Sequence, residues 1–167
     1  MITIFKNRGM LLETIINQTN EFYFKNKIAI FHKKNLDITF KSVKLQDKKL
    51  NLESAIISSK SSVDYYGVYK GRYIAFEAKS TEEDYLPLKN IKEHQIKYLD
   101  FIREHDGVAF WIIYFKFANT FILIMHNDLK RIIQNKKALH LEEALLNGKK
   151  LELSFPGILN IIENITF

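Results

Sequence analysis

The chain has 167 residues, enough for one domain with a real core. It is 47% hydrophobic and 26% charged, as globular proteins are, and none of its apolar runs reaches membrane-spanning length. Cysteine is absent, which excludes a disulfide framework and a thiolate metal site, and a net charge of +6 suits a polyanionic partner.

The opening residues, MITIFKNRGM, hold no long apolar stretch of the kind a signal peptide needs. A cytoplasmic location without membrane association is the expectation. After Gly9, Met10, Leu11, Ile15, Ile16 and Phe22 recur at helix-compatible spacings, with Asn7 as a candidate N-cap. Glu13 falls in this helix. It either looks into a site or, as a first-turn acid, complements the positive helix terminus. Asn17 and Asn20 offer amides that can meet a phosphate or water.

Residues 28–31, IAIF, read as a short buried strand that ends in His32, Lys33 and Lys34. The composition then turns basic. Lys33, Lys34, Lys41, Lys44, Lys48 and Lys49 are opposed only by Asp37 and Asp47. Leu36, Ile38 and Phe40, then Val43 and Leu45, alternate like two strands with a turn near Lys41 and Ser42. Such an arm can enter a DNA groove or junction, neutralise phosphates and wedge apolar tips. It can equally be an ordinary solvated hairpin. A further strand follows from Leu52 to Ser58, with Ala55, Ile56 and Ile57 at its centre.

Residues 63–79, VDYYGVYKGRYIAFEAK, read as a β-hairpin turning at Lys70-Gly71. Period 2 puts Tyr73, Ala75, Glu77 and Lys79 on one face of the second strand, and Ile74, Phe76 and Ala78 on the other. Asp64 lies beside Glu77 and Lys79 once the hairpin folds back. A hard cation takes oxygen ligands and keeps several waters, so two carboxylates can hold it with positions left for a phosphate. It would polarise the phosphodiester and acidify a bound water, while the lysine orients that water or meets developing charge. Asp…Glu-x-Lys on a hairpin thus fits phosphodiester hydrolysis. The Glu-x-Lys spacing alone more often marks a solvated strand face.

Residues 80–84, STEED, form an acidic loop, and Pro87 marks the next helix start. Ile91, Ile96, Leu99 and Ile102 give that helix a face; Gln95 lies on it and can reach a metal-bound water or remain solvated. Asp106-Gly107 stops it. Val108 to Phe117 reads as a central strand buried on both faces, with Thr120 to Met125 as its hairpin partner. Short helices are expected over 128–133, capped by Asn127, and over 141–146. The apolar tail from Gly157 should dock on the body or on a second subunit. This order implies an α/β fold with a mixed sheet flanked by helices.

Taken together, NRGMLLETIINQTNEFY, IAIFHKK, DYYGVYKGRYIAFEAK, PLKNIKEHQI and the tail PGILNIIENITF resemble, in order, the RecU family of Holliday junction resolvases within the PD-(D/E)xK nucleases. The resemblance implies a restriction-endonuclease-like mixed sheet over residues 1–167, with residues 34–52 as a protruding basic stalk. It implies a homodimeric, Mg²⁺-dependent endonuclease, with Mn²⁺ able to substitute, that resolves four-way DNA junctions by paired nicks. It also implies interaction with RecA and the RuvAB branch-migration machinery. Asp64 and Glu77 match the family's metal ligands, Lys79 its catalytic lysine, Gln95 its helical glutamine at the site's edge and Glu13 its first-helix acid. Ser62 stands at a threonine position and is a further metal contact. Lys33 and Lys34 match the basic pair entering the stalk, with Lys41, Lys44, Lys48 and Lys49 as DNA contacts along it. The sequence departs from the family at Val63 (usually threonine), at Asn35 (usually proline), at Asp47 where a stalk-base arginine is expected, and at Glu53, which replaces an acid expected near Ser54. Another nuclease of the superfamily acting on duplex DNA, or a non-catalytic junction binder, is the alternative.

Overall fold

A computed structural model of the chain describes residues 10–35, 37–46, 49–59 and 62–167, with side chains for 10–35 and 62–167. Asn7, Asp47 and Lys48 lie outside the described residues, as do the side chains of Lys41, Lys44 and Lys49.

Helix α1 (Met10–Lys25) leads into β1 (Ile30–Lys33), then β2 (Asp37–Gln46) and β3 (Lys49–Ser59). β4 (Tyr65–Tyr69) and β5 (Arg72–Thr81) form the expected hairpin. Its two-residue loop holds Lys70 at φ 48° and Gly71 at φ 75°, the doubly left-handed turn that matches strand twist. Next come β6 (Tyr85–Pro87), a 3-10 turn (Leu88–Asn90), α2 (Glu93–Glu104), β7 (Val108–Phe115) and β8 (Thr120–Met125). The remainder is α3 (His126–Ile132), β9 (Ala138–His140), α4 (Leu141–Asn147), β10 (Lys149–Leu151), β11 (Leu153–Ser154), β12 (Ile158–Leu159) and α5 (Ile161–Asn164). No helix among the described residues is long and apolar enough to cross a membrane.

The main sheet runs β1-β4-β5-β7-β8-β10. β5 and β7 are parallel, joined through α2, and the other neighbours are antiparallel. Both faces are covered. On one, α1 and the C-terminal segment pack through Leu12, Ile15, Ile16, Leu159 and Ile161 onto Ile74, Phe76, Phe110 and Ile112. On the other, Leu99 and Ile102 of α2 and Leu129 of α3 pack onto Ala75, Ala109, Trp111 and Ile113. Every residue of β7 is buried, as its unbroken apolar run predicts.

Three local expectations are corrected. The arm does not turn at Lys41 and Ser42: β2 continues to Gln46 and pairs with β3, so the strand expected from Leu52 belongs to the same two-stranded ribbon. Register shifts at Phe40/Ser42 and Ser42/Val43 break the period-2 phase, which is what makes one strand read as two. β1 is an edge strand with Phe31 alone buried, not a buried strand. In α1, Met10, Leu11 and Phe22 are exposed, while Thr19, Asn20 and Tyr23 are buried.

Two of those polar groups, Thr19 and Tyr23, pin the tail. Tyr23 donates its hydroxyl proton to the Leu159 carbonyl at 2.7 Å and accepts from the Ile161 N–H at 3.0 Å. Thr19 Oγ1 accepts from the Leu159 N–H at 3.0 Å. Across the sheet, Trp111 donates to His126 Nδ1 at 2.9 Å. Indole nitrogen is donor only, so His126 carries its proton on Nε2 and donates to Asp100 at 3.0 Å. Lys130 donates to both Asp100 oxygens, at 2.7 and 2.9 Å. Burial holds the His126 pKa below its usual value, against the pull of Asp100. This chain of contacts fixes α2 against β7 and α3.

At Gly67, an added Cβ would sit 1.9 Å from the Ile30 carbonyl oxygen and 2.7 Å from Phe31 Cδ1. Backbone cannot yield there without parting β1 from β4. Gly67→Ala should therefore cost about 2–3 kcal/mol and lower the melting temperature by roughly 5–10 °C, measured by a thermal melt.

Candidate active site

The hairpin register builds the site. The last paired rung of β4 and β5 is Tyr65 with Phe76, so one residue further on Asp64 faces Glu77. Residues directly opposite in an antiparallel pair hold their Cβ atoms about 5 Å apart on the same face. Two residues along β5, Lys79 points the same way as Glu77. The sequence thus commits two carboxyls and an ammonium to one spot, where β4 has ended and β5 runs on with β7 as its remaining neighbour.

Glu77 is completely buried, and its surroundings are one-sided. Its Oε2 accepts from Gln95 Nε2 at 2.7 Å and lies 3.3 Å from Lys79 Nζ. Its Oε1 has no hydrogen-bond partner. Burial first, and then the Asp64 carboxylate beside it, push the Glu77 pKa up to about 9, against the smaller downward pull of Lys79. Asp64 is held by the Ala78 N–H, which donates to its Oδ2 at 3.1 Å.

A cleft of about 430 Å³ opens beside this group, lined by Glu13, Lys33, Asp64, Tyr65, Lys79 and Lys92 among others. Asp64 and Lys79 face the opening, whereas Glu77 lies a layer beneath it. Glu13 comes from α1 to the cleft wall and pairs with Lys33. Gln95 meets Glu77, but its carbonyl oxygen accepts from the Lys92 N–H at 3.0 Å at the start of α2. In this arrangement the amide nitrogen faces Glu77 and the oxygen faces the start of α2. Ser62 is absent from the cleft lining; its hydroxyl accepts from Lys34 Nζ at 2.9 Å. Lys33 therefore stands at the cleft and Lys34 on the Ser62 side.

Sequence reasoning passed over Tyr65. Its hydroxyl is buried without a partner, and the residue borders the cleft. Burial, and then the charges of Glu13 and Asp64, push its pKa up. A tyrosine next to an aspartate looks like one more core aromatic, and only the register shows where its hydroxyl ends.

No cluster of three or more His, Cys, Asp or Glu gathers here among the described residues. The site instead offers two carboxylates that repel each other and one buried oxygen without a partner. That donor set fits a hard divalent cation that keeps part of its water shell. A cation between Asp64 and Glu77 would satisfy the lone oxygen and turn their repulsion into attraction.

Comparison with known proteins identifies the family. A Holliday junction resolvase RecU from Mycoplasmopsis pulmonis is 39% identical over 157 residues, covering 94% of this chain and 92% of the relative. One from Streptococcus mutans is 35% identical over 167 residues, covering 95% and 85%. Among solved structures, Archaeoglobus fulgidus Hjc, a Holliday junction resolvase, superposes with a TM-score of 0.51 over 81% of this chain and 93% of its own, at 14% identity. That likeness concerns the fold, a mixed sheet with flanking helices of the restriction-endonuclease-like kind. The family model described as RecU, Recombination protein U, matches residues 7–167, and the chain belongs to that family.

Proposed function

We propose that this protein is a Mg²⁺-dependent endonuclease that resolves four-way DNA junctions by paired, symmetric nicks. The observation that carries the reading is a cleft lined by Asp64 and Lys79, with Glu77 directly beneath it beside Lys79, in a chain of the RecU family. Asp64 and Glu77 would hold a divalent cation, which would supply Lewis-acid charge to the scissile phosphate and acidity to a water beside it. Lys79 directs its ammonium at the developing phosphate charge. Gln95 keeps Glu77 from rotating, and the His126–Asp100 contacts keep the helix that carries Gln95 in place. Lys33 and Lys92 on the cleft wall attract the DNA backbone. In-line attack of a water forms a new P–O bond as the bond to the 3′ oxygen breaks, and the water's proton ends on that oxygen, leaving a 5′-phosphate and a 3′-hydroxyl.

Symmetric resolution of a two-fold junction requires two such sites related by a two-fold axis, so a homodimer is part of this reading. The β2–β3 ribbon, with Lys41, Lys44 and Lys49 along it, is the element we assign to the junction centre. We also infer a cytoplasmic location, shared with the DNA substrate. RecA and RuvAB as partners rest on the family resemblance alone.

Asp64→Asn should reduce nicking of a synthetic four-way junction by about a hundredfold or more while leaving the band shift on the same junction intact. Normal nicking by this variant would remove the site assignment. Shortening the ribbon by removing residues 41–49 should weaken junction binding more than linear duplex binding in competition gels. Equal loss on both would reduce the arm to a general phosphate contact.

The crowded carboxyls also predict a pH effect. In the metal-free protein the folded-state pKa of Glu77, about 9, lies above its ordinary value of 4.5. The neutral form is the stable one. The contribution is complete below about pH 4.5 and is lost as pH rises toward 9, by several kcal/mol in total. Melting in EDTA should therefore drop across this window. Glu77→Gln should flatten the drop, as should added Mg²⁺, and a profile unaffected by either would contradict the arrangement.

A further inference from the structure

The main sheet is wider than the helices laid on it. On the side that carries Glu77, α2 and α3 cover Ala75 of β5, Ala109 and Trp111 of β7 and Ile124 of β8. Toward the β1 edge that cover stops. The register sets Tyr66 opposite both Ala75 and His32, and Val68 opposite both Tyr73 and Ile30, so all of these share the face of Ala75. Ile30 and Val68 are each 46% exposed and Tyr73 is 39% exposed, while His32 is exposed and Tyr66 half-buried. The other face of the same strands, with Phe31, Tyr65 and Phe76, is sealed by α1.

Three rings lie side by side on the open face. Tyr66 and Tyr73 are 20° from parallel with centroids 6.4 Å apart, and His32 is 6.0 Å from Tyr66. The Tyr73 hydroxyl meets that of Tyr98 on α2 at 3.5 Å, so its polar end is engaged while the residue stays exposed. A contiguous exposed patch of this kind marks an interaction surface.

Position says what the surface meets. Asp64 lies two residues before Tyr66 on the same side, about 7 Å away along the strand direction. The patch therefore runs straight out of the catalytic cleft. At its far end Ile30 and Val68 line a groove of about 580 Å³ with Lys25, Lys27 and Lys70, and no acidic side chain lines it among the described residues. A second copy docked here about a two-fold axis would set lysines against lysines and cover the approach to Asp64. A DNA strand brings phosphates for the lysines and bases for the rings. Within duplex DNA each base is covered on both faces by its neighbours, so only a base that has left the stack can lie on an aromatic ring. A four-way junction offers such bases where its strands cross over.

We propose that the open face of β1, β4 and the start of β5 binds an unstacked segment of the DNA strand that leaves the catalytic cleft, its bases against Tyr66, Tyr73 and His32. This rests on the nuclease reading and deepens it, because it gives the site a reason to prefer branch points to paired duplex.

The double variant Tyr66→Leu, Tyr73→Leu keeps apolar bulk and removes the rings. With Ca²⁺ in place of Mg²⁺, its Kd for a four-way junction and for a splayed-arm duplex should rise about tenfold or more. Its Kd for fully paired linear duplex should change less than about twofold, because phosphate contacts carry that binding. Equal change on all three substrates, or none, overturns the proposal. A variant that sediments as a smaller species than wild type shows that the face joins two copies, and also overturns it. A second measurement needs no variant. 5-Iododeoxyuridine, placed in turn at each position around the branch point and irradiated in the wild-type complex, should crosslink to peptides holding Tyr66, Tyr73 or His32. Crosslinks that map only elsewhere contradict the assignment. None of these readouts requires cleavage. Wild type that crosslinks as expected yet fails to nick with Mg²⁺ sinks the nuclease reading and leaves the surface standing. Wild type that nicks while the variant shows no selective loss does the reverse.

Discussion

The structure depends on a conflict between two carboxyl groups. Asp64 and Glu77 are brought face to face by a hairpin register that the rest of the sheet enforces, and one of them is sealed from water. Bringing two anions together under burial is unfavourable, and relief by a neighbouring ammonium is incomplete. The fold accepts that arrangement because β5 is locked on both sides: by β4 through an antiparallel ladder and by β7 through a parallel one. Strain of this kind marks places where a fold is organised around something it binds.

The surroundings of that pair divide the work. α2 delivers Gln95 to the buried oxygen, and its own position is set by a hydrogen-bonded series from Trp111 through His126 to Asp100 and Lys130. α1 delivers Glu13 to the wall of the cleft, and Lys33 from the edge strand meets it there. That ion pair is half exposed, and exposed pairs contribute little, so Lys33 can exchange Glu13 for a phosphate at small cost. Positive charge is thus available where the backbone of a nucleic acid would lie, without an unpaired lysine buried in the resting protein.

Much of this was legible in the residues. The Lys70-Gly71 turn and the alternation of residues 72–79 specify the hairpin, and with it the meeting of Asp64, Glu77 and Lys79. The unbroken apolar run of β7 announced the sheet's centre. What could not be read depends on tertiary partners. The phase break at Ser42 splits one strand into two on paper because alternation carries no record of a register shift. Thr19 and Tyr23 look like a solvated helix face until the C-terminal segment supplies their neighbours. That Gln95 meets Glu77 through its nitrogen, with its oxygen bonded to the Lys92 N–H, depends on how the start of α2 is placed. That the Tyr65 hydroxyl is buried without a partner is visible only once its surroundings have been assembled.

The clasp between Tyr23 and residues 159–161 has a consequence for how the molecule is made. Partners separated by 136 and 138 positions cannot meet until the later stretch has left the ribosome. At roughly 5–20 residues per second that interval lasts about ten seconds or more. Through it, the inner side of α1 lacks part of its cover while the basic ribbon is already outside. Newborn chains are thus exposed to sticking until residues 159–161 emerge and close that window.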